Sequence, residues 1–334
     1  MKRTCAVQIG SATPTPLTAD LTIDLPSVGR LIRDALAGGI QGVFLAGTCG
    51  EGPWQPDRER VRLVQAVAAE AKGKVKIAVQ ATDNSVPRIL DNIRQAAEAG
   101  AEYAIIAAPA VFMNATPDRV VALFAEAIEA SPLPVGIYDL GRHRPVMIPE
   151  ERLADIYRRP DVHLVKDSSG SPTRRAAALE AKRDKPGLQL FNGDEFRCLE
   201  YLETGYDGFM FGGASATAAQ LHRIAAAFQA GELDEARRLD AKLKRTLFGI
   251  YGGEQIACWL TGLKHYLVQR GLFASSAHPP DAIRACGSPS GRARRRRPCR
   301  ERRAPGAIPP AGSPARGRLR PRRRPPVRTG RGVR

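Results

Sequence analysis

A lysine at the end of an apolar run is the residue of this sequence best suited to covalent chemistry. Lys166 follows Val162-His163-Leu164-Val165, so the stem of its side chain starts inside a buried strand. Low dielectric disfavours an ammonium ion, and a neutral amine is what attacks a ketone to form a Schiff base. A strand-end lysine can instead pair with a neighbouring carboxylate such as Asp167, and position alone leaves both roles open. Upstream, Gly47-Thr48-Cys49-Gly50-Glu51 supplies small residues and consecutive backbone N–H groups that suit capture of a carboxylate. An ordinary strand-to-helix turn has a similar composition. Tyr138 ends the run Pro134–Ile137 and is able to pass a proton to an alkoxide or from a carbinolamine, or simply to pack inside a barrel.

The elements that must position these residues alternate from end to end. Expected strands are Cys5–Ile9, Gly42–Ala46, Val75–Gln80, Tyr103–Ala107, Pro134–Tyr138, His163–Lys166, Leu188–Asn192 and Gly208–Phe211. Helical periodicity lies between them, over Val28–Ala37, Asp57–Ala71, Val86–Ala99 and Pro117–Ala130 among others. Thr116-Pro117-Asp118 and Pro149-Glu150-Glu151 read as helix starts, and Gly100 and Gly205 as helix ends. Eight strands with intervening helices predict a parallel sheet closed into a (β/α)8 TIM barrel. An open doubly wound sheet would want a glycine fingerprint after its first strand, and Gly10-Ser11-Ala12 is not one. Three more helices follow the eighth strand: Ala216–Ala230, Leu233–Phe248 and Gly253–Arg270. The first completes the barrel over residues 1–230, and the other two form a C-terminal helical extension over 231–274. In such a barrel the chemistry belongs at the C-terminal ends of the strands, where all the residues named above fall.

The formal charge of +17 on 334 residues suggests a nucleic-acid partner until its distribution is read. Residues 281–334 hold 18 Arg, no Lys and only two acidic residues, Asp281 and Glu301. That leaves 33 basic and 32 acidic side chains in residues 1–280, a net of +1. The basic character belongs to an Arg/Pro-rich segment, 275–334, whose composition predicts disorder. It has no aromatic residue to stack on bases, which argues against a nucleic-acid role despite the charge. Arg, Pro, Gly and Ala are what G/C-rich codons yield in any frame. The segment therefore reads as a frameshift or read-through product, an idea that fails if the alternative frames of the encoding DNA offer no ordinary helical ending. No apolar run reaches the roughly 18 residues of a membrane span, and the N-terminus lacks the pattern of a signal peptide. The six cysteines show neither metal-ligand nor disulfide spacing, which fits a reduced cytoplasmic setting.

Taken together, these landmarks resemble the dihydrodipicolinate synthase / N-acetylneuraminate lyase family over roughly residues 5–273. The resemblance is carried by Gly47-Thr48-Cys49-Gly50-Glu51, Tyr138-Asp139, Val165-Lys166-Asp167-Ser168-Ser169-Gly170, Asn192-Gly193-Asp194, the glycine-rich end of strand 8 and Leu263-Lys264 in the last helix. It implies that Lys166 is the Schiff-base lysine, Tyr138 the proton relay, and Thr48 and Cys49 the binders of a 2-oxo acid carboxylate. Gly47, Gly193, Asp194 and Met210 complete the expected substrate-binding set, with no metal and no organic cofactor. A homotetramer or homodimer in the cytoplasm is implied as well.

Three departures from the family pattern bear on activity. Cys49 stands where a second hydroxyl residue is usual, and a thiol is a weaker donor. The segment Pro109-Ala110-Val111-Phe112-Met113-Asn114 lacks the tyrosines that usually end strand 4, so the relay loses a member. After strand 5, Gly141-Arg142-His143-Arg144 is one residue shorter than usual, and counting back from Pro149-Glu150 puts Arg142 at the place of the arginine that holds the second substrate's carboxylate. His143 is expected to be a solvent-exposed loop histidine. The expected function is a Schiff-base lyase or aldolase acting on a 2-oxo-3-deoxy sugar acid or a related hydroxy-oxo acid, with pyruvate as donor or product. The alternatives are 4-hydroxy-tetrahydrodipicolinate (dihydrodipicolinate) synthase, condensing pyruvate with aspartate semialdehyde in lysine biosynthesis, and a barrel that has lost catalysis and binds or regulates. Barrels host many chemistries, so the fold decides none of this.

Overall fold

A computed structural model describes residues 6–279. The segment expected to be disordered lies, beyond residue 279, outside the described residues. The chain begins with β1 (Gln8–Ser11), α1 (Leu25–Ala37), β2 (Gly42–Leu45), α2 (Asp57–Ala71), β3 (Lys76–Gln80) and α3 (Val86–Glu98). It continues through β4 (Tyr103–Ala107), α4 (Pro117–Glu129), β5 (Val135–Asp139), α5 (Leu153–Tyr157), β6 (Val162–Asp167) and α6 (Pro172–Asp184). Then come β7 (Gln189–Asn192), α7 (Cys198–Thr204), β8 (Gly208–Phe211), α8 (Ala214–Ala230), α9 (Leu233–Tyr251) and α10 (Trp259–Gln269). The eight strands pair in parallel in chain order, and β1 also pairs with β8, so the fold is a closed (β/α)8 barrel followed by helices.

Local signals account for most boundaries. Thr116 accepts from the Arg119 N–H and Pro117 occupies the first turn, so α4 starts where a hydroxyl cap and a missing donor both favour it. Pro149-Glu150-Glu151 opens only a 3-10 turn, from which α5 continues for five residues. The first strand differs from expectation, running Gln8–Ser11 and not Cys5–Ile9. Its register is set from outside, by Gln8 to Ser11 lying against Gly208 to Phe211 and by Gly10 and Ser11 against Gly42 and Val43. Gly10 and Ser11, poor strand formers by propensity, belong to the strand because pairing on both sides overrides propensity. The last helix is also shorter than expected. Gly252 and Gly253 have positive φ and Ile256 sits at φ 51°, so the chain turns between α9 and α10 before re-entering a helix at Trp259.

Apolar side chains of α8, α9 and α10 (Leu221, Ile224, Leu243, Leu247, Leu263, Leu267) share one buried cluster with the barrel residues Phe44, Leu164 and Phe209. A second cluster lies under α3 to α6, with Ile93, Phe124 and Ile156 against Ile106, Ile137 and Val165. Burial of this kind contributes about 25 cal/mol per Å² of apolar surface, which is what fixes the strand ends relative to one another.

Candidate active site

β5 and β6 lie side by side with Tyr138 directly opposite Lys166 and Asp139 opposite Asp167. Side chains alternate along a strand, so one pair turns into the barrel and the other turns out toward the helices. Lys166 and Tyr138 are both buried, with the Lys166 Nζ 3.8 Å from the centre of the Tyr138 ring and 4.9 Å from that of Phe44. The two rings meet edge to face at 5.6 Å. The amine thus sits in an aromatic corner made by β2 and β5.

Asp167 does not pair with Lys166. It accepts from the Ser169 N–H and hydroxyl at 2.8 and 2.7 Å and from the Tyr206 hydroxyl at 2.8 Å. Asp139 accepts from Arg174 Nε, the Tyr157 hydroxyl and the Gly141 N–H. Both outward carboxylates are committed to holding the loops after β5 and β6. Burial would push the Tyr138 phenol up, but the Lys166 charge and hydrogen bonding to Thr48, Lys166 and Ser168 bring it below its ordinary value. The Thr48 Oγ1 is buried with the Tyr138 phenol as its neighbour.

The loop after β2 faces this corner. Its turn is closed by Glu51 N–H to Thr48 O and Gly52 N–H to Gly47 O, both at 3.2 Å. Among the described residues no protein group accepts from the Thr48 or Cys49 N–H. Gly47 is required by contact, since a Cβ there would lie 2.8 Å from the Phe44 ring. Burial, with Glu195 nearby, pushes the Cys49 thiol well up, so it stays protonated and can only donate weakly. After β7, a Cβ on Gly193 would strike Ser168 Oγ and lie 3.1 Å from Lys166 Cε. Gly193 is thus the floor on which the lysine stem rests.

Other expected residues stand farther off. The Asp194 carboxylate accepts from the Phe196 N–H at 3.1 Å and faces Arg197, folding its own loop. Met210 is buried in the barrel beside Ile9 and Gly10 and lines a cavity of about 60 Å³ near the strand starts, together with Gln8, Lys76 and Gln189. Arg142 and His143 are exposed on a 3-10 turn. Arg144 is half-buried and lines a cavity of about 400 Å³ with Gln55, Arg60, Gln80, Thr82 and Asn84. The loop after β4 exposes Val111 and Met113 and holds no tyrosine. The sequence motifs contain Ser168 and Arg144 without marking a role for either, and Phe44 lies outside them. No local signal in the sequence marks Phe44 as the ring beside the amine.

A sequence profile described as the Dihydrodipicolinate synthetase family matches residues 6–282. The chain belongs to that family. It is 27% identical over 280 residues to 4-hydroxy-tetrahydrodipicolinate synthase of Xanthomonas campestris, covering 82% of this chain and 91% of the relative. It is 28% identical over 276 residues to 4-hydroxy-tetrahydrodipicolinate synthase 2 of Streptomyces coelicolor, covering 82% and 87%. The solved dihydrodipicolinate synthase of Bacteroides thetaiotaomicron superimposes with a TM-score of 0.75 at 26% identity, covering 82% of this chain and 92% of that one. The protein is a lyase with the Schiff-base aldolase fold of this pyruvate-dependent family. Among the described residues no helix is long and apolar enough to cross a membrane.

Proposed function

We propose that the protein makes or breaks a carbon–carbon bond next to a 2-oxo acid, with Lys166 as the Schiff-base lysine and Tyr138 as the proton relay. The observation that carries this reading is the Lys166 amine against the Tyr138 ring in a buried aromatic corner, facing a loop with unpartnered N–H groups. In the neutral form the amine adds to the oxo carbon and gives a carbinolamine. Tyr138 supplies the proton with which water leaves, and the protonated imine becomes an electron sink. In the cleavage direction the bond to the hydroxyl-bearing carbon breaks, its electron pair enters the imine as an enamine, and that hydroxyl gives up its proton as an aldehyde forms. Protonation of the enamine and hydrolysis release pyruvate. Thr48, Cys49 and Gly47 receive the carboxylate through N–H groups and one hydroxyl, while Gly193 gives Lys166 its space. Asp194 shapes the β7 loop and Met210 the barrel interior below the site.

The bond-cleaving reading names a 2-oxo-3-deoxy sugar acid or a related hydroxy-oxo acid as substrate, because the strand-4 tyrosines that complete the synthase relay are absent. The synthase reading, with aspartate semialdehyde as partner, is favoured by one observation: the Arg144 guanidinium makes no hydrogen bond or ion pair among the described residues and lines the cavity at the strand ends. Arg142, exposed, is less well placed for that task than Arg144. A catalytically impaired barrel is disfavoured by the intact Lys166–Tyr138 pair. We place the enzyme in the cytoplasm as a homo-oligomer, in keeping with the free Cys49, Cys198 and Cys258 among the described residues and the exposed apolar Val111 and Met113. Borohydride reduction in the presence of pyruvate tests the central claim by mass. Wild type should gain one reduced pyruvate adduct and Lys166→Ala none, and equal labelling of the variant would overturn the assignment. Turnover of aspartate semialdehyde against a panel of sugar acids separates the two substrate readings.

A further inference from the structure

We propose that Glu51 and Lys264 are positioning residues that lock the loop after β2 in the shape that receives the substrate carboxylate, with the segment after α10 as the third member of the lock. The inference rests on the reading of Thr48 and Cys49 as carboxylate binders. Both side chains are fully buried and form an ion pair, and neither has a part in the chemistry described above. Desolvating two charges costs several kcal/mol each, and packed apolar residues of the same volume often stabilise a fold as well or better. A buried pair kept in spite of that cost points to specificity of shape.

The shape in question is strained. Ala46 and Glu51 bracket the loop at φ 53° and 58°, a left-handed region that costs a non-glycine residue about 1–3 kcal/mol and persists only where its surroundings impose it. Glu51 is thus both a strained residue and a paired one. The Lys264 Nζ also donates to Ala277 O at 2.7 Å. That terminal segment is tied to α1 in turn, by Arg30 Nε to Leu272 O at 3.0 Å and Ala274 N–H to Ser27 Oγ at 3.1 Å. One amine therefore joins the carboxylate loop, the last helix and the segment beyond it. Losing either charge leaves the other buried and unpaired, which releases Glu51 from its left-handed conformation. The Thr48 and Cys49 N–H groups then lose their common direction. Binding suffers more than chemistry, because Lys166 and Tyr138 stand on other strands.

The test is the pyruvate concentration that half-saturates borohydride trapping, measured with the rate at saturation. In Glu51→Gln and Lys264→Met the half-saturating concentration should rise about tenfold, equivalent to about 1.4 kcal/mol of binding. The saturated rate should stay within about threefold, the pattern of a lost binding contribution. The double variant leaves no unpaired charge and should be no worse than either single one. A lowered Tm with unchanged half-saturation overturns the proposal. Should Lys264→Met fail to fold, Glu51→Gln decides, and amide exchange of the wild type judges independently. The Glu51 and Gly52 amides, bonded to Thr48 O and Gly47 O, should exchange slowly without pyruvate, and exchange at free-loop rates until pyruvate is added defeats the lock. Absence of trapping in the wild type at any concentration sinks the reading of Lys166 instead, leaving the exchange measurement to judge the lock.

Discussion

Lys166 depends on what its neighbours leave empty as much as on what they supply. Gly193 clears the space that the lysine stem fills, so Gly193→Ala must push either that stem or Ser168 aside. A displacement of about 1 Å is enough to cost on the order of 100-fold in rate, and the trapping rate with pyruvate should fall by that much while circular dichroism stays native. Tyr138→Phe keeps the ring that flanks the amine and removes only the proton carrier. Trapping should slow by about 100-fold or more, the usual contribution of a positioned acid–base group, while the borohydride-stable adduct still forms in time. Glu195 offers a separate check on burial. Its carboxyl accepts from the Gly213 N–H at 2.8 Å, yet burial pushes it up to about 7. Because that folded value lies above the unfolded one, the stability tied to this group is fully present below the ordinary carboxylate range. It is lost as pH rises through about 7. Glu195→Gln should flatten the fall in Tm between pH 4.5 and about 7, the window this carboxyl governs, and an unchanged slope would remove Glu195 as its source.

The loop after β5 shows how far an element can be read from its residues. Asp139 holds its start through the Gly141 N–H, and Arg174, paired to Asp139, holds its end by donating to Ile148 O at 2.9 Å. Between these anchors Arg142 points to solvent and Arg144 into the cavity. Arg144→Ala should raise the KM of an acid-bearing aldehyde by about 10- to 100-fold, the worth of a charge-assisted hydrogen bond of about 1.5–3 kcal/mol, while Arg142→Ala changes it little. The reverse ranking would restore Arg142. Counting residues from Pro149 does not place the arginine here, because the anchor that sets the loop's path comes from α6, 35 residues after Asp139. Strand ends were legible for the opposite reason: Lys166 and Tyr138 close apolar runs, and alternation along a strand says which side faces in. Strand β1 was misplaced because its extent is decided by β8 across the barrel, and Phe44 was missed because nothing local says which ring will lie beside an amine.

At the scale of the whole molecule, charge and catalysis separate along the chain. Residues 1–280 carry a net of +1 and contain every residue assigned to the reaction, whereas 281–334 carry +16. A chain ended after Pro279 keeps Lys264 and its acceptor Ala277, so its half-saturating pyruvate and trapping rate should match those of the full chain. It should nevertheless elute from heparin at far lower salt, because that retention follows the number of cationic side chains engaged. A chain ended after Ala274 removes the Ala277 carbonyl as well. On the lock proposed above, its half-saturating pyruvate should rise about as much as in Lys264→Met, about tenfold. Equal behaviour of the two truncations would show that the last segment contributes nothing to the site, and loss of trapping in the longer one would give the Arg-rich region a role in catalysis that its composition does not suggest.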